Sequence, residues 1–405
     1  MNKERKTGGF SFFALWFGAA VSLAEIMTGS LIASLGMKKG MAAIISGHLI
    51  GCLMLASAGM IGFRERKPSL LSSRISLGRY GSYMITVFNI VQLVGWTAVM
   101  LIQCARSLQS ITSRLFGINS FALPVVVVGI FVAIWALNVN KGINIINNAA
   151  VVLLGILSVV MLVVALKGGE AGHATESITF GAALELSIVM PLSWVPLISD
   201  YTMKGKSLKG SFLGSFFGYF AGSCLMYSIG LVSAALTGNP DPVSILAKLD
   251  SGYSALLIVV LATVTTTFLD VYSSVMSTLN LTSRVSKKVL IIVFTALGTL
   301  LALFFPMEQY ENFLYMIGSL FAPAFSVIIV DYFFYREDRS MDPINTAGII
   351  AAILGTLSYY AVSRYSLAAG SSIPSMVITI FLYFIIRNIL KSTGLRGNKH
   401  AEQSY

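Results

Sequence analysis

The chain is 405 residues long, 56% hydrophobic and only 11% charged, with a mean hydropathy of +0.81 and a formal net charge of +11. A soluble protein of this size carries about a quarter charged residues, so the composition excludes a surface that is mostly wetted by water. No soluble face gathers the basic residues, which excludes a nucleic-acid-binding domain. The apolar runs of about 20 residues suit membrane helices and exclude a barrel, whose strands alternate over about 10.

Breaking the chain at charge clusters and at Gly, Pro and Asn turns predicts twelve helical segments, near 10–35, 41–63, 82–105, 120–139, 144–166, 181–202, 210–237, 253–281, 289–306, 312–335, 345–365 and 370–390. The fold class expected is an all-α polytopic membrane protein. Segment 1 follows Lys3, Arg5 and Lys6. It is longer than the apolar core of about 7–15 residues in a cleaved signal peptide, so it reads as the first helix of the mature protein. Its middle runs Trp16-Phe-Gly18-Ala-Ala-Val21-Ser22-Leu-Ala-Glu25. Gly, Ala and Ser together weaken a helix, and an unwound turn here frees backbone carbonyls.

An ionisable group at mid-bilayer costs about 2.5–3.5 kcal/mol on insertion scales, so each one needs a reason. Glu25 in segment 1 and Asp270 in segment 8 point to cation, proton or substrate binding, against a structural pair of buried carboxyls. His48 in segment 2 reads as a packing histidine with its hydrogen bonds satisfied. Glu185 reads as lying near the interface, and Asp200 and Asp331 as snorkelling or pairing with loop cations at segment ends.

In segment 3, Gln92 and Trp96 lie one turn apart on one face. An indole offers a flat surface for a planar base, and an amide can both donate to and accept from its edge. Segment 6 reads Met190-Pro191-Leu-Ser193-Trp194-Val-Pro196. Its two prolines remove backbone donors and push the preceding residues from helical geometry. Interrupted helices at equivalent places in two five-helix halves mark a mid-membrane transport site. Segment 8 carries Ala262-Thr-Val-Thr265-Thr266-Thr267. These hydroxyls, with carbonyls from a broken helix, make an oxygen shell suited to sodium, unless each threonine simply bonds its own helix. Cys52, Cys104 and Cys224 have neither metal nor disulfide spacing and read as small buried apolar residues.

An even segment count puts both termini on one side. With that side cytoplasmic, 21 Lys and Arg fall inside and 7 outside, as the positive-inside rule requires. A missed or spurious segment would scramble that separation.

Several collinear pieces resemble the nucleobase:cation symporter family one, in its cytosine permease and hydroxymethylpyrimidine (thiamine precursor) transporter branch. They are Thr28-Gly29, Ser73-Arg74-Ile-Ser76-Leu-Gly78-Arg-Tyr-Gly81-Ser82, Gln92 to Gly95-Trp96, Ile198-Ser199-Asp200-Tyr201, Thr265-Thr266-Thr267 to Tyr272, and Pro323 through Val330-Asp331-Tyr332. The phrase from Met190 to Tyr201 is most like the hydroxymethylpyrimidine branch.

The resemblance implies a leucine-transporter-like inverted repeat, with the first five segments at 10–166 and the second five at 181–335. Two extra helices at 345–390 and a cytoplasmic tail at 391–405 complete one transporter domain. It implies sodium at carbonyls of Gly18, Val21 and Ala262 and hydroxyls of Thr265 and Thr266. Substrate positions fall on Ser22, Gln92, Trp96, Ser193 and Thr267. The sequence departs from the family at four places. Thr267 stands where cytosine permeases carry Asn, and Pro191 aligns with the helix 6 aromatic, with Trp194 one turn on. Glu25 replaces a small or neutral residue and is suited to an exocyclic amine, and Asp270 is unmatched and suited to substrate choice or proton uptake.

The implied protein is a monomeric symporter of the bacterial cytoplasmic membrane, importing hydroxymethylpyrimidine, or cytosine or another nucleobase, with Na+ or H+ and without a cofactor. Its partners are the small pyrimidine and the lipid bilayer, with no nucleic acid. A membrane-embedded enzyme needs a metal set, an acid/base pair or a nucleophile, and the three histidines lie too far apart in the sequence pattern. A channel needs a repeated pore loop, and none stands out.

Overall fold

The computed structural model describes residues 7–138, 143–168, 178–239, 241–247, 252–282 and 284–392. Fifteen α-helices fill them: α1 (Gly9–Ala20), α2 (Leu23–Leu31), α3 (Met37–Glu65), α4 (Ser69–Phe116), α5 (Ala122–Leu137), α6 (Ile143–Gly168), α7 (Phe180–Leu192), α8 (Ile198–Thr202), α9 (Leu208–Thr237), α10 (Pro242–Ala247), α11 (Gly252–Leu281), α12 (Lys287–Phe304), α13 (Tyr310–Val330), α14 (Thr346–Ser363) and α15 (Ser372–Ser392). Each predicted segment has a helix at its place; the short α10 was not expected. Among the described residues, eight helices are long and apolar enough to cross a membrane, and the bent pair α1 and α2 makes a ninth crossing. Three shorter apolar helices, Ala122–Leu137, Val151–Val163 and Phe180–Leu192, stand beside them. Leu49 and Leu53 on α3, Ile130 and Phe131 on α5 and Leu300 on α12 are exposed, as side chains facing lipid must be.

Segment 1 breaks where its small residues weaken it. α1 ends at Ala20, Ser22 is extended (φ −147°, ψ 157°), and α2 leaves at 63° to α1. Ser22 fixes the restart: its Oγ accepts the Glu25 N–H at 3.3 Å, the N-cap bond that a Ser-x-x-Glu sequence favours. Segment 6 is interrupted too. Pro191 sits in the last turn of α7, residues 193–197 are turns, and α8 is a single short piece. The missing N–H of Pro191 and Pro196 keeps this stretch from closing as a regular helix.

α2 presses closely on α9. A Cβ on Gly29 would lie 2.1 Å from the Tyr227 carbonyl oxygen, and one on Gly230 1.9 Å from that of Ile26. Only glycine lets the two backbones approach this far, the device by which membrane helices gain contact without a hydrophobic driving force.

The stretch 64–80, between the predicted segments 41–63 and 82–105, is mostly helix. α4 starts at Ser69 and passes through Gly78, where φ is +76° and ψ 176°. That conformation lets the N–H groups of Arg79 and Tyr80 leave the helical ladder and donate to the Asp342 and Pro343 carbonyls, both at 2.9 Å, while Leu77 O accepts from Asn345 N–H at 2.9 Å. The family-like stretch from Ser73 to Ser82 is thus a latch for the 336–345 connection.

Glu185 and Asp200 are placed differently from the sequence reading, whereas Asp331 takes the pairing branch of it, with Arg339 of the 336–345 connection 3.9 Å away. Glu185 is buried inside the bundle and not at the interface. It accepts from the Tyr359 hydroxyl (2.7 Å), the N–H groups of Ser371 (2.8 Å) and Ser372 (2.7 Å), and the Ser372 hydroxyl (2.5 Å). Asp331 does not snorkel to water; it is buried, bonded by Arg387 Nη1 at 2.9 Å and by the Tyr383 hydroxyl. Asp200 accepts the Ser69 N–H at 2.8 Å, tying α8 to α4. In each case a second helix brings donors to the carboxylate.

Candidate functional site

The two breaks face one cavity of about 1000 Å³. α1 supplies Phe10, Trp16 and Gly18, the break Val21 and Ser22, and α2 Glu25. Trp96 from α4, Val151 to Val160 from α6, Ser193 and Trp194 from the second break, Tyr201 from α8, Tyr219 from α9, and Thr266 and Asp270 from α11 close the rest. The cavity reaches from mid-molecule to the start of α1, where Phe10 is 82% exposed.

Its wall is largely aromatic. Trp16 meets Trp194, Tyr201 and Tyr219 edge-on, at ring-centroid distances of 5.7, 5.5 and 6.2 Å. Trp96, which is buried, packs edge-on against Tyr310 at 6.3 Å and Phe313 at 5.4 Å. Edge-to-face packing at these distances holds a ring in place. The indole N–H of Trp16 has no acceptor among the described residues.

The candidates divide in three. Ser22, Glu25, Trp96, Ser193, Trp194 and Asp270 line the cavity, as do Gly18, Val21 and Thr266 from the sodium pattern. Gln92 does not; it lies one layer behind, its amide donating to the Ser193 carbonyl at 2.7 Å and to Asn89 Oδ1 at 2.9 Å. It props the unwound stretch of segment 6 and does not reach into the open space. Thr267 is also behind the wall, its hydroxyl donating to the Thr263 carbonyl at 2.6 Å, the self-satisfying bond open to any helical threonine. Thr266 shares that carbonyl at 3.2 Å. The side chains of Ala262 and Thr265 lie outside the described residues. The Gly18 carbonyl accepts from Val21 N–H at 3.2 Å, which leaves a carbonyl's second lone pair for a cation.

The two acidic residues of the cavity differ. No described residue makes a hydrogen bond to the Asp270 carboxylate, whereas Glu25 is held on both oxygens, by the Tyr219 hydroxyl at 2.7 Å and the Ser223 hydroxyl at 2.5 Å. Ser223 in turn meets His48 Nε2 at 2.5 Å. Trp16, Tyr201, Tyr219, Ser223 and the bond of His48 to Ser223 were not foreseen. Trp16 had a usable signal, since it lies two turns before the Ser22 break on the same helix. Ser223 had none, being 198 residues from Glu25 in sequence.

Comparison with known proteins fits this geometry. A family model described as permease for cytosine/purines, uracil, thiamine, allantoin matches residues 1–343. The cytosine permease of Escherichia coli (strain K12) is 26% identical over 418 aligned residues, covering 97% of this chain and 92% of that protein. Among solved structures, the inward-facing conformation of Mhp1 superimposes with a TM-score of 0.82 at 19% identity, over 96% of this chain and 92% of that one. Mhp1, a nucleobase-cation-symport-1 family transporter, in a closed conformation with bromovinylhydantoin bound gives 0.80 at 19% identity, over 96% and 94%. The fold is therefore the leucine-transporter-like one, with broken helices at its centre.

Proposed function

Because the chain belongs to the family of permeases for cytosine and purines, uracil, thiamine and allantoin, we propose that it imports an aminopyrimidine together with a cation. The family makes it a multi-pass membrane transporter of nucleobase-like substrates and not an enzyme. Hydroxymethylpyrimidine is the first candidate, on the likeness of the stretch from Met190 to Tyr201 to that branch. Cytosine is the second, favoured by a relative matched over 97% of the chain. Both offer a flat ring carrying an exocyclic amine.

The observation that carries the proposal is the Asp270 carboxylate, lining the same cavity as Trp16, Trp96 and Trp194 and bonded by no described residue. An amine is the natural donor for such an oxygen, and a hydrogen bond to a charged group contributes about 1.5–3 kcal/mol. Stacking on an indole adds about 1–3 kcal/mol.

The excess of Lys and Arg on one side, 21 to 7, supports both termini lying in the cytoplasm; a monomer in the bacterial cytoplasmic membrane completes the reading. The open end of the cavity at Phe10 then faces inward, and transport proceeds by alternating access around the two breaks. Close packing of α2 and α3 on α7 and α9, and of α4 on α11, joins the repeats 10–166 and 181–335 into bodies drawn from both, and the movement runs between those bodies, with 345–390 as a flanking pair.

Equilibrium binding to purified protein tests the reading, with hydroxymethylpyrimidine, cytosine, uracil and a hydantoin, each with and without sodium. The two amine-bearing rings are expected to bind most tightly, and Trp96→Ala to weaken them by about 5–150-fold, equivalent to about 1–3 kcal/mol. Equal affinity for uracil removes amine recognition, and no binding of any pyrimidine removes the reading.

A further inference from the structure

Hydrogen counting at Glu25 assigns a function to a group of side chains that the substrate site does not need. Glu25 on α2 is 2% exposed and His48 on α3 and Ser223 on α9 are fully buried. Ser223 Oγ lies 2.5 Å from Glu25 Oε2 and 2.5 Å from His48 Nε2. His48 Nδ1 lies 2.8 Å from the Ile44 carbonyl. A carbonyl can only accept, so Nδ1 must carry a hydrogen.

The two contacts of Ser223 need one hydrogen each, and its hydroxyl has only one. The second must come from the Glu25 carboxyl or from Nε2 of a doubly protonated imidazole. Either way the trio holds one proton more than a carboxylate beside a neutral imidazole. The environment selects between the two forms. Every salt bridge among the described residues lies in the cluster of Asp331, Glu337, Arg339 and Arg387, so no Lys or Arg compensates charge here. The groups around Glu25 are Cys52 beside His48 on α3, Tyr219, Cys224 and Tyr227 on α9, and Tyr310 on α13. Burying a separated ion pair among them costs more than burying neutral groups. The neutral form is a Glu25 acid donating to Ser223, which donates to His48.

We propose that Glu25, Ser223 and His48 form a proton-binding site, and that the proton it exchanges with the cavity, rather than sodium, is the coupling ion of transport. The inference rests on the transporter reading above. Glu25 lines the cavity, so its proton has a route in and out. Loss of that proton leaves two acceptors facing one hydroxyl hydrogen, and one of the 2.5 Å contacts must open. The group spans α2, α3 and α9, and Glu25 stands in the first turn of α2, where its backbone N–H donates to the Ser22 cap at the break. Proton occupancy therefore acts directly on the broken helix. His48 is a positioning residue: by accepting from Ser223, it obliges the hydroxyl to act as an acceptor toward Glu25, which favours the protonated acid.

The test uses full-length protein in proteoliposomes with labelled cytosine as the probe, the membrane potential clamped at zero. Counterflow without any gradient reads the carrier itself; its absence in the wild type overturns cytosine as a substrate. Where counterflow is present, an inward gradient of one pH unit is expected to drive accumulation toward about tenfold for one proton per molecule, with acidification of a trapped pH dye. Accumulation that follows a sodium gradient and ignores pH overturns this inference while leaving the carrier intact. Glu25→Gln preserves the hydrogen-bond pattern, because its amide donates to Ser223, but has no proton to exchange. It is expected to lose accumulation above a ratio of one and to lose acidification; full proton-driven accumulation in this variant overturns the site. His48→Phe frees the Ser223 hydroxyl to donate to the Glu25 carboxylate. The pH of half-maximal proton-driven uptake, normalised to the counterflow rate of the variant, is expected to fall by about one unit, and an unmoved profile overturns the role given to His48.

Discussion

Glu185 and Glu25 are both buried glutamates in the half-helices that meet the two breaks, yet their surroundings differ in one respect. Around Glu185 every neighbour is a donor: two backbone N–H groups at the start of α15, the Ser372 hydroxyl and the Tyr359 hydroxyl. Around Glu25 one of the two donors, Ser223, is itself shared with an acceptor, His48. A carboxylate met only by donors is a fixed part of the structure, whereas one that competes for a hydrogen can exist in two states. Depth in the membrane does not distinguish them, and the inventory of hydrogens does. Asp331 belongs with Glu185: Arg387 reaches it at 2.9 Å and continues to Glu337 at 2.6 Å, and the guanidinium lies 3.3 Å over the Tyr335 ring centroid. Glu185 at one end and Asp331 at the other fasten α14 and α15 to the core.

The strongest way to break this comparison is to remove the anchoring carboxylates. Asp331→Ala leaves Arg387 buried with only the part-exposed Glu337 to face. Losing one partner of a buried pair costs about 3–5 kcal/mol, so thermal unfolding in detergent is expected well below that of the wild type. Unfolding at the wild-type temperature would show that the cluster is ornamental. Glu185→Ala strands four donors at once, each at up to about 1–3 kcal/mol where neither water nor another acceptor reaches it. Glu185→Gln is expected to lose less, since its amide oxygen still accepts. Neither variant is expected to change the proton dependence of cytosine uptake once protein amounts are equalised, and a shifted pH profile in Glu185→Gln would erase the distinction drawn between the two glutamates.

How much of this could be read in the sequence follows from the range of each interaction. The helical segments were legible because lipid demands unbroken apolar runs and charges stop them. The two breaks were legible as well, from Gly18 to Ser22 and from Pro191 to Pro196, because backbone geometry is decided by neighbours in the chain. The capping bond of Ser22 is written in the chain as Ser-x-x-Glu. The carboxylate environments were not legible. Glu185 meets Ser372 across 187 positions and Glu25 meets Ser223 across 198, and no local pattern marks a serine as the partner of a distant acid. For the same reason Gln92 and Thr267 were expected to face substrate. Helical periodicity gives the face of a helix that a residue occupies, but not whether the neighbouring backbone has already claimed its polar atoms.

Asp270 provides the sharpest and smallest test. Unlike Glu185 and Asp331, its carboxylate has no hydrogen-bond partner among the described residues and lines open space. Before substrate enters, a carboxyl so placed contributes nothing that its removal could cost, and any charge on it carries a desolvation penalty. Asp270→Asn is therefore expected to leave thermal stability within about 0.5 kcal/mol of the wild type, or slightly above it, which is the usual range where no partner is lost. Affinity for cytosine is expected to fall by about tenfold or more, since a charge-assisted hydrogen bond gives way to a neutral one. The two measurements must move apart. If the variant instead unfolds as early as Glu185→Ala while binding cytosine normally, the carboxylate is one more structural anchor, and amine recognition in this cavity has to be sought on Ser22, Ser193 and Tyr201.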